Sequence, residues 1–371
     1  MIRKIIIEGF KCFHKRQSIP LSQINILYGK NGRGKSTIAQ SFLLLAQTMK
    51  ECNDVAELRL MGDLIELGTF DEVINVNAKS GKFYWAFQDD DNLVEFGFEK
   101  FPHKTQMAKL CKLLVNNENR FDVKTTSDKG TVSENKSVST TSDIMMLQNF
   151  KLLQYVSAGR LGPKNYSARK DSLEDNWLGV KGEYVINVLT NQGPSFQEKV
   201  CEVLSEILTG ATLEARPKDS DSVELFLDSV NNGNKFRPIN VGFGYSYVLP
   251  VIVAALLAKK GTILIVENPE AHLHPGAQSR LTKFLIENSM RNNIQLIIET
   301  HSDHVVNGLR IAMKQELSGL APNNAEIIFF SHDDVDINSS IKIIECDRYG
   351  ELSEYPDDFL DEWTKQLVTL V

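Results

Sequence analysis

Gly29-Lys30-Asn31-Gly32-Arg33-Gly34-Lys35-Ser36 decides the fold of this chain. The stretch fits G-x-x-x-x-G-K-[ST] at every fixed position. An apolar run, Ile24–Tyr28, leads into it, and the pattern behind it predicts a helix from Lys35 to about Met49. Strand, glycine loop and helix in that order are the context the motif needs. Glycines let consecutive N–H groups curl around phosphate oxygens without Cβ clashes. The start of the helix adds partial positive charge. Lys35 is expected to reach the β and γ phosphates of a nucleoside triphosphate, and the Ser36 hydroxyl to ligate Mg²⁺. Gly29 to Thr37 are the candidate phosphate-binding residues; among them Arg33 is read as pointing to solvent rather than to the γ-phosphate.

Two further strand ends complete the candidate site. The buried-strand run Thr262–Val266 ends in Glu267-Asn268-Pro269-Glu270. A carboxylate at the end of an apolar strand can hold the Mg²⁺ shell, so Glu267 is paired with Ser36 as the expected metal ligands. Asn268 follows, and an amide cannot accept a proton as a carboxylate does. Either hydrolysis is slow, or Glu267 or Glu270 activates the water. The next strand, Ile294–Ile298, is followed by Glu299-Thr300-His301-Ser302. A His just past a strand end can hydrogen-bond the γ-phosphate and report its presence, which makes His301 the fourth catalytic candidate beside Glu267, Asn268 and Glu270. His272, His274 and His304 lack zinc-like ligand spacing and are not read as a metal site.

The 371 residues divide by pattern into four parts. Residues 1–78 carry the phosphate loop, and 79–235 hold a β-hairpin, a flexible loop and helices. Residues 236–335 return to helices alternating with apolar strands, and 336–371 form a tail. The fold class is α/β, with a parallel core sheet, an antiparallel β subdomain and a helical lobe. Lys82–Phe87 and Leu93–Phe101 are the predicted hairpin, joined by the acidic turn at 88–92. Thr125–Asp143 is polar and reads as a mobile loop. Tyr184–Leu189 and Phe196–Leu208 read as helices, with Val200, Val203, Leu204, Ile207 and Leu208 on a core face. No heptad array is present, which excludes a long coiled-coil insertion. The net charge of −7 argues against a protein coated in nucleic acid. Five scattered cysteines without a C-x-x-C pair fit reduced thiols and a cytoplasmic chain. The most apolar stretch, Tyr247–Leu257, is too short for the ~20 residues a membrane span needs.

These residues resemble the ABC-like ATPases of the structural-maintenance-of-chromosomes, RecF and overcoming-lysogenisation-defect type. The likeness is best to compact bacterial AAA ATPases with a short C-terminal domain of unknown function. It is carried by Ile5–Phe13 with the phosphate loop, by Asn240–Ser246, by Glu267–Pro275 and by Glu299–Ser302, with the tail Tyr355–Glu362. The resemblance implies ATP as the nucleotide and a homodimer closed around it. Gly242, Gly244 and Ser246 would stand in for the signature loop and cap the γ-phosphate of the facing subunit. The usual L-S-G-G-Q is eroded here, with Gly244 and a displaced Ser246 remaining. Ser157–Pro163 resembles the segment joining the lobes, where Gln148 or Gln154 would sense Mg²⁺. Relatives of the lysogenisation type append a nuclease. The 70 residues that follow His301 are expected to be too few for such a nuclease domain of ordinary size.

Two functions compete. The first is a regulatory ATPase that controls a separately encoded effector, such as a nuclease or toxin, in the way of anti-phage defence modules. The alternative is a DNA-binding ATPase of DNA repair or maintenance, suggested by Lys11, Lys15, Arg16, Lys164, Arg169 and Lys170. A membrane transporter subunit fits the eroded signature poorly, and no membrane partner is expected.

Overall fold

Alternate residues of Lys4-Ile5-Ile6-Ile7-Glu8 are buried, and the segment forms strand β1 (Lys4–Glu8) as its N-terminal pattern requires. The computed structural model describes residues 1–120, 144–173, 177–331 and 341–370. Thr125–Asp143, read from sequence as a loop, lies outside the described residues. The chain forms two compact units, and it passes between them more than once.

The first unit holds Met1–Ser22, Asn31–Leu153 and Phe330–Ile341. Its sheet is antiparallel in every pairing, in the order β2-β1-β5-β6-β7-β4, with β8 beside β7. The strands are β2 (Gln17–Pro20), β4 (Glu57–Arg59), β5 (Lys82–Gln88), β6 (Leu93–Lys100), β7 (Met107–Val115) and β8 (Glu118–Asn119). The hairpin expected from the aromatic runs is β5–β6, in register from Lys82↔Glu99 to Gln88↔Leu93. Phe10, Phe83, Trp85 and Phe98 form one ring cluster on this sheet. Among the described residues, the helices here are α1 (Lys35–Cys52), α2 (Phe70–Val73) and α3 (Met145–Lys151). Phe42 of α1 meets Phe87 of β5 edge-on at 5.1 Å and stacks on Phe150 of α3 at 5.6 Å. Burying each such ring contributes about 1.5–3 kcal/mol, which seats α1 firmly in this unit.

The second unit holds Gln23–Lys30, Gln154–Phe329 and Lys342–Val371. Its main sheet runs β16-β15-β3-β14-β13-β9. The strands are β3 (Ile24–Gly29), β9 (Gln154–Val156), β13 (Ile263–Glu267), β14 (Gln295–Thr300), β15 (Ala325–Phe330) and β16 (Ile341–Ile344). Strands β3, β14 and β13 and the edge strand β9 are parallel. Parallel strands buried on both faces read as continuous apolar runs, and every residue of β3 and β14 is buried. A smaller antiparallel sheet, β10 (Tyr166–Ala168), β12 (Ser222–Asp228) and β11 (Thr212–Pro217), was not signalled by the sequence pattern.

The helices of this unit are α4 (Val185–Gln192), α5 (Pro194–Ile207), α6 (Phe243–Leu257), α7 (Pro275–Arg291), α8 (Asp303–Lys314) and α9 (Glu362–Leu370). On α5, Val200, Leu204 and Ile207 are buried, while Val203 and Leu208 pack on the core partly exposed. Helix α6 is apolar on all sides and is buried from Val248 to Ala255. No helix of the described residues is long and apolar enough to cross a membrane.

Candidate nucleotide site

The phosphate loop follows β3 and opens α1. Gly29, Gly32 and Gly34 take φ of 131°, 74° and 108°, a left-handed backbone that side chains other than glycine rarely adopt. Gly34 is the N-cap of α1, and the amides of Thr37 and Ile38 already bond to its carbonyl. A helix start carries partial positive charge, which suits this end of α1 to an anion. Within the first unit, Gly34 is also crowded: a Cβ there would sit 2.9 Å from the Phe13 ring and 3.0 Å from Cys12 Sγ. Cys12 Sγ lies 3.6 Å from Thr37 Oγ1. The Phe10–Phe13 segment, singled out with the loop in the sequence, thus packs beneath it. Lys35 is buried and Arg33 half-buried, whereas Lys30, Asn31 and Gly32 are exposed.

The second unit gathers the other candidates along one sheet edge. Parallel pairing puts Glu267 opposite Glu299 and Thr300 opposite Tyr28, so β13, β14 and β3 end side by side. At about 4.8 Å per strand, the end of β13 lies roughly 10 Å from the end of β3. Ligands bind at this carboxyl edge in open parallel sheets. The sequence expectation put β14 at 294–298; the strand extends to Thr300, which leaves His301 as the first residue beyond it.

Asn268 has φ 43° and donates its N–H to Glu299 O at 2.7 Å. Asn tolerates this left-handed turn better than most residues, which gives its presence a conformational reason. Its Oδ1 is buried without a partner. Glu270 accepts the His301 N–H on Oε1 at 3.1 Å, and its Oε2 is buried without a partner. Glu267 Oε2 accepts the Ala158 N–H at 3.1 Å. Burial, the nearby Glu267 charge and a hydrogen bond to it push the Tyr155 phenol far above its usual range. That phenol therefore stays protonated and fixes the carboxylate. Of the glutamines proposed to sense Mg²⁺, Gln154 starts β9 in the second unit, and Gln148 lies on α3 in the first.

Arg160 is the residue that reading the sequence missed. It is 3% exposed, and its guanidinium donates to Ser157 O at 3.1 Å, Glu267 O at 2.8 Å and Asn268 O at 2.5 Å. Burial lowers its pKa to about 10, so it stays charged at neutral pH. It holds the turn after β13 to the segment after β9. Its Nε and the Ser157 hydroxyl remain buried without partners. Together with Asn268 Oδ1 and Glu270 Oε2, they form a group of polar atoms that protein contacts leave unsatisfied, a condition normally relieved by water or ligand.

Gly242 caps α6, and Gly244 and Ser246 lie in its first turn. A Cβ at Gly244 would come within 2.8 Å of His272 O, so only glycine allows this approach. The His272 ring lies 4.3 Å from Tyr247 and 5.8 Å from Phe243. His274 caps α7 by accepting the Gly276 N–H. Several basic residues noted in the sequence are engaged elsewhere. Arg16 pairs with Glu95 and Glu8, Arg169 with Asp171, and Lys170 sits over the Tyr184 ring.

Three sequence families match successive parts of the chain. Residues 1–176 match the AAA ATPase domain. Residues 189–307 match an AAA domain whose description links it to the AbiEii toxin of a type IV TA system. Residues 320–370 match a protein of unknown function, DUF3696. No curated protein matches the chain. Among solved structures, the SMC head bound to the C-winged helix domain of ScpA superposes with a TM-score of 0.56 at 16% identity, covering 93% of this chain and 97% of that one. The Smc head with an extended coiled coil, bound to the C-terminal domain of ScpA from Pyrococcus furiosus, gives 0.54 at 14% identity, covering 100% and 99%. At such identities the likeness is one of fold.

Proposed function

We propose that this chain, which matches AAA ATPase domains over 1–176 and 189–307 and has the fold of an SMC head, is an ABC-type ATPase that binds ATP with Mg²⁺ and hydrolyses it slowly. In this reading it closes as a homodimer on ATP and controls a separately encoded effector such as a nuclease or toxin. The observation that carries the nucleotide reading is the glycine loop: left-handed Gly29 ends β3, and left-handed Gly32 and Gly34 lead into α1, whose N-cap makes no side-chain hydrogen bond. The description of the family matched by 189–307 supports a place in bacterial defence. The pairing of Arg16 and Arg169 with carboxylates leaves less free positive charge for DNA, which favours this reading over the DNA-binding one.

In the reaction, a water oxygen attacks the γ-phosphorus as the bond to the β-γ bridging oxygen breaks, in line. Lys35 and the loop amides stabilise the charge on the phosphate oxygens. Glu270, with one carboxylate oxygen bound to the His301 amide and the other unpartnered, orients the water and takes its proton. His301 then senses the γ-phosphate. A hydroxyl and a carboxylate are oxygen donors suited to Mg²⁺, and Ser36 and Glu267 are the residues that would hold it. The bound ion would neutralise phosphate charge. Gly242, Gly244 and Ser246 would cap the nucleotide of the facing copy.

Two measurements test this. Light scattering of the wild type should move from monomer to dimer mass on adding ATP and Mg²⁺ to a slow-turnover sample. A mass that stays monomeric with ATP bound would reject the sandwich. Asn268→Glu should raise phosphate release by about tenfold, because a carboxylate replaces an amide beside the water. The left-handed φ of 43° makes the same change cost roughly 1 kcal/mol of stability, visible as a lowered melting temperature. Turnover that stays at the wild-type value would leave Glu270 as the sole base.

A further inference from the structure

The C-terminal segment reaches the phosphate loop from within the second unit. Lys30 is the first loop residue after β3 and Gly29. Its ammonium is 2.6 Å from Asp358 Oδ2. The other oxygen of Asp358 accepts Lys365 Nζ at 2.8 Å, and Lys365 also pairs with Asp361 at 2.9 Å. Asp361 in turn accepts the Asp358 N–H at 3.0 Å. Between these charges Phe359 is 1% exposed and meets Tyr28 edge-on at 5.3 Å and Phe329 at 5.1 Å. Tyr28 directly precedes Gly29, and its phenol donates to Asp303, two residues past His301.

The turn therefore grips the strand end on both sides of Gly29: Phe359 packs on Tyr28 and Asp358 bonds Lys30. It is also strained for the purpose. Asp358 and Leu360 have φ of 65° and 56°, a backbone held against its preference only where surroundings over-determine it. An isolated surface ion pair is worth little. Here one carboxylate is shared by two ammonium groups, its amide is bonded, and the next side chain is locked in the core. The two hydrogen-bonded cations hold the Asp358 carboxyl down at about 2, so the contact persists through all physiological pH.

We propose that Asp358 is a positioning residue for ATP binding: the C-terminal turn fixes Lys30 and the first residues of the phosphate loop before nucleotide arrives. This rests on the nucleotide reading above and extends it to a segment that matches a family of unknown function. Lys365 is on α9, so the same network ties that exposed helix to the loop.

Freeing one loop residue's backbone should weaken binding by roughly 5- to 30-fold. Calorimetry with ATP and Mg²⁺ on the full chain should give Asp358→Asn a dissociation constant about tenfold above wild type. Phosphate release at saturating ATP should stay within about twofold, because the residue touches no reacting atom. Asp358→Glu should recover most of the affinity, and Lys365→Met should lose part of it without touching Asp358. The proposal is overturned by wild-type or tighter ATP binding in Asp358→Asn. It is equally overturned by a variant whose affinity holds while turnover falls. If Asp358→Asn does not fold, Lys365→Met decides in the same way. Failure of the wild type itself to bind ATP would instead reject the nucleotide reading, and this inference with it.

Discussion

Lys35→Ala is expected to weaken ATP binding by at least about 100-fold and to abolish phosphate release. The side chain opens α1 and is buried, immediately after the crowded, left-handed Gly34. Such a lysine supplies charge-assisted hydrogen bonds to the β and γ phosphates, each worth about 1.5–3 kcal/mol. Losing two of them multiplies the dissociation constant by the stated factor at RT ≈ 0.59 kcal/mol. The helix itself should persist, since alanine is the better helix former and Phe42 still packs on Phe87 and Phe150. Calorimetry checks the binding and circular dichroism checks the fold. A folded variant with wild-type affinity would remove Lys35 from the phosphate site.

Arg160→Met should cost about 3–5 kcal/mol of stability and most of the turnover. Methionine keeps much of the stem's volume but none of the donors. Three backbone carbonyls, those of Ser157, Glu267 and Asn268, would lose their guanidinium partner in a buried place. Each orphaned buried polar group costs about 1–3 kcal/mol, and partial relaxation keeps the total below the simple sum. Two of those carbonyls belong to the turn that aims Glu267 and Asn268, so turnover should fall with stability. Urea unfolding with phosphate release checks both effects. A loss under about 1 kcal/mol would mean that solvent or a neighbour replaces the guanidinium without penalty.

The parts of the site legible in the sequence share one property: their chemistry depends on residues close along the chain. The phosphate loop is eight consecutive residues flanked by its own strand and helix. Glu267 and His301 each end an apolar run, and buried parallel strands announce themselves as such runs. The β5–β6 hairpin was legible because aromatic residues alternate on either side of an acidic turn.

What was not legible depends on distant partners. Arg160 bonds carbonyls 107 and 108 residues away, and carbonyls leave no trace in a sequence. The one available signal was an arginine in a Gly- and Pro-flanked segment, Ser157–Pro163, without an acidic neighbour. Asn268 was read only as a missing carboxylate; its left-handed turn, which the residue type itself could have suggested, emerged from the backbone. Asp358 meets Lys30 across 328 residues. Four consecutive segments also hide how the chain is shared. Gln23–Lys30 belongs to the second unit although both its flanks belong to the first. The small β10–β12–β11 sheet escaped because its flanking strands β10 and β11 are largely exposed or half-buried, so their alternation is weak.

Crystals grown with a slowly hydrolysed ATP analogue and Mg²⁺ test the central claim most directly. The phosphates should lie within hydrogen-bonding distance of the loop amides from Gly32 to Lys35, with the Lys35 ammonium on the terminal phosphate. Clear density for the nucleotide at any other place, or a well-ordered loop with none, would contradict it.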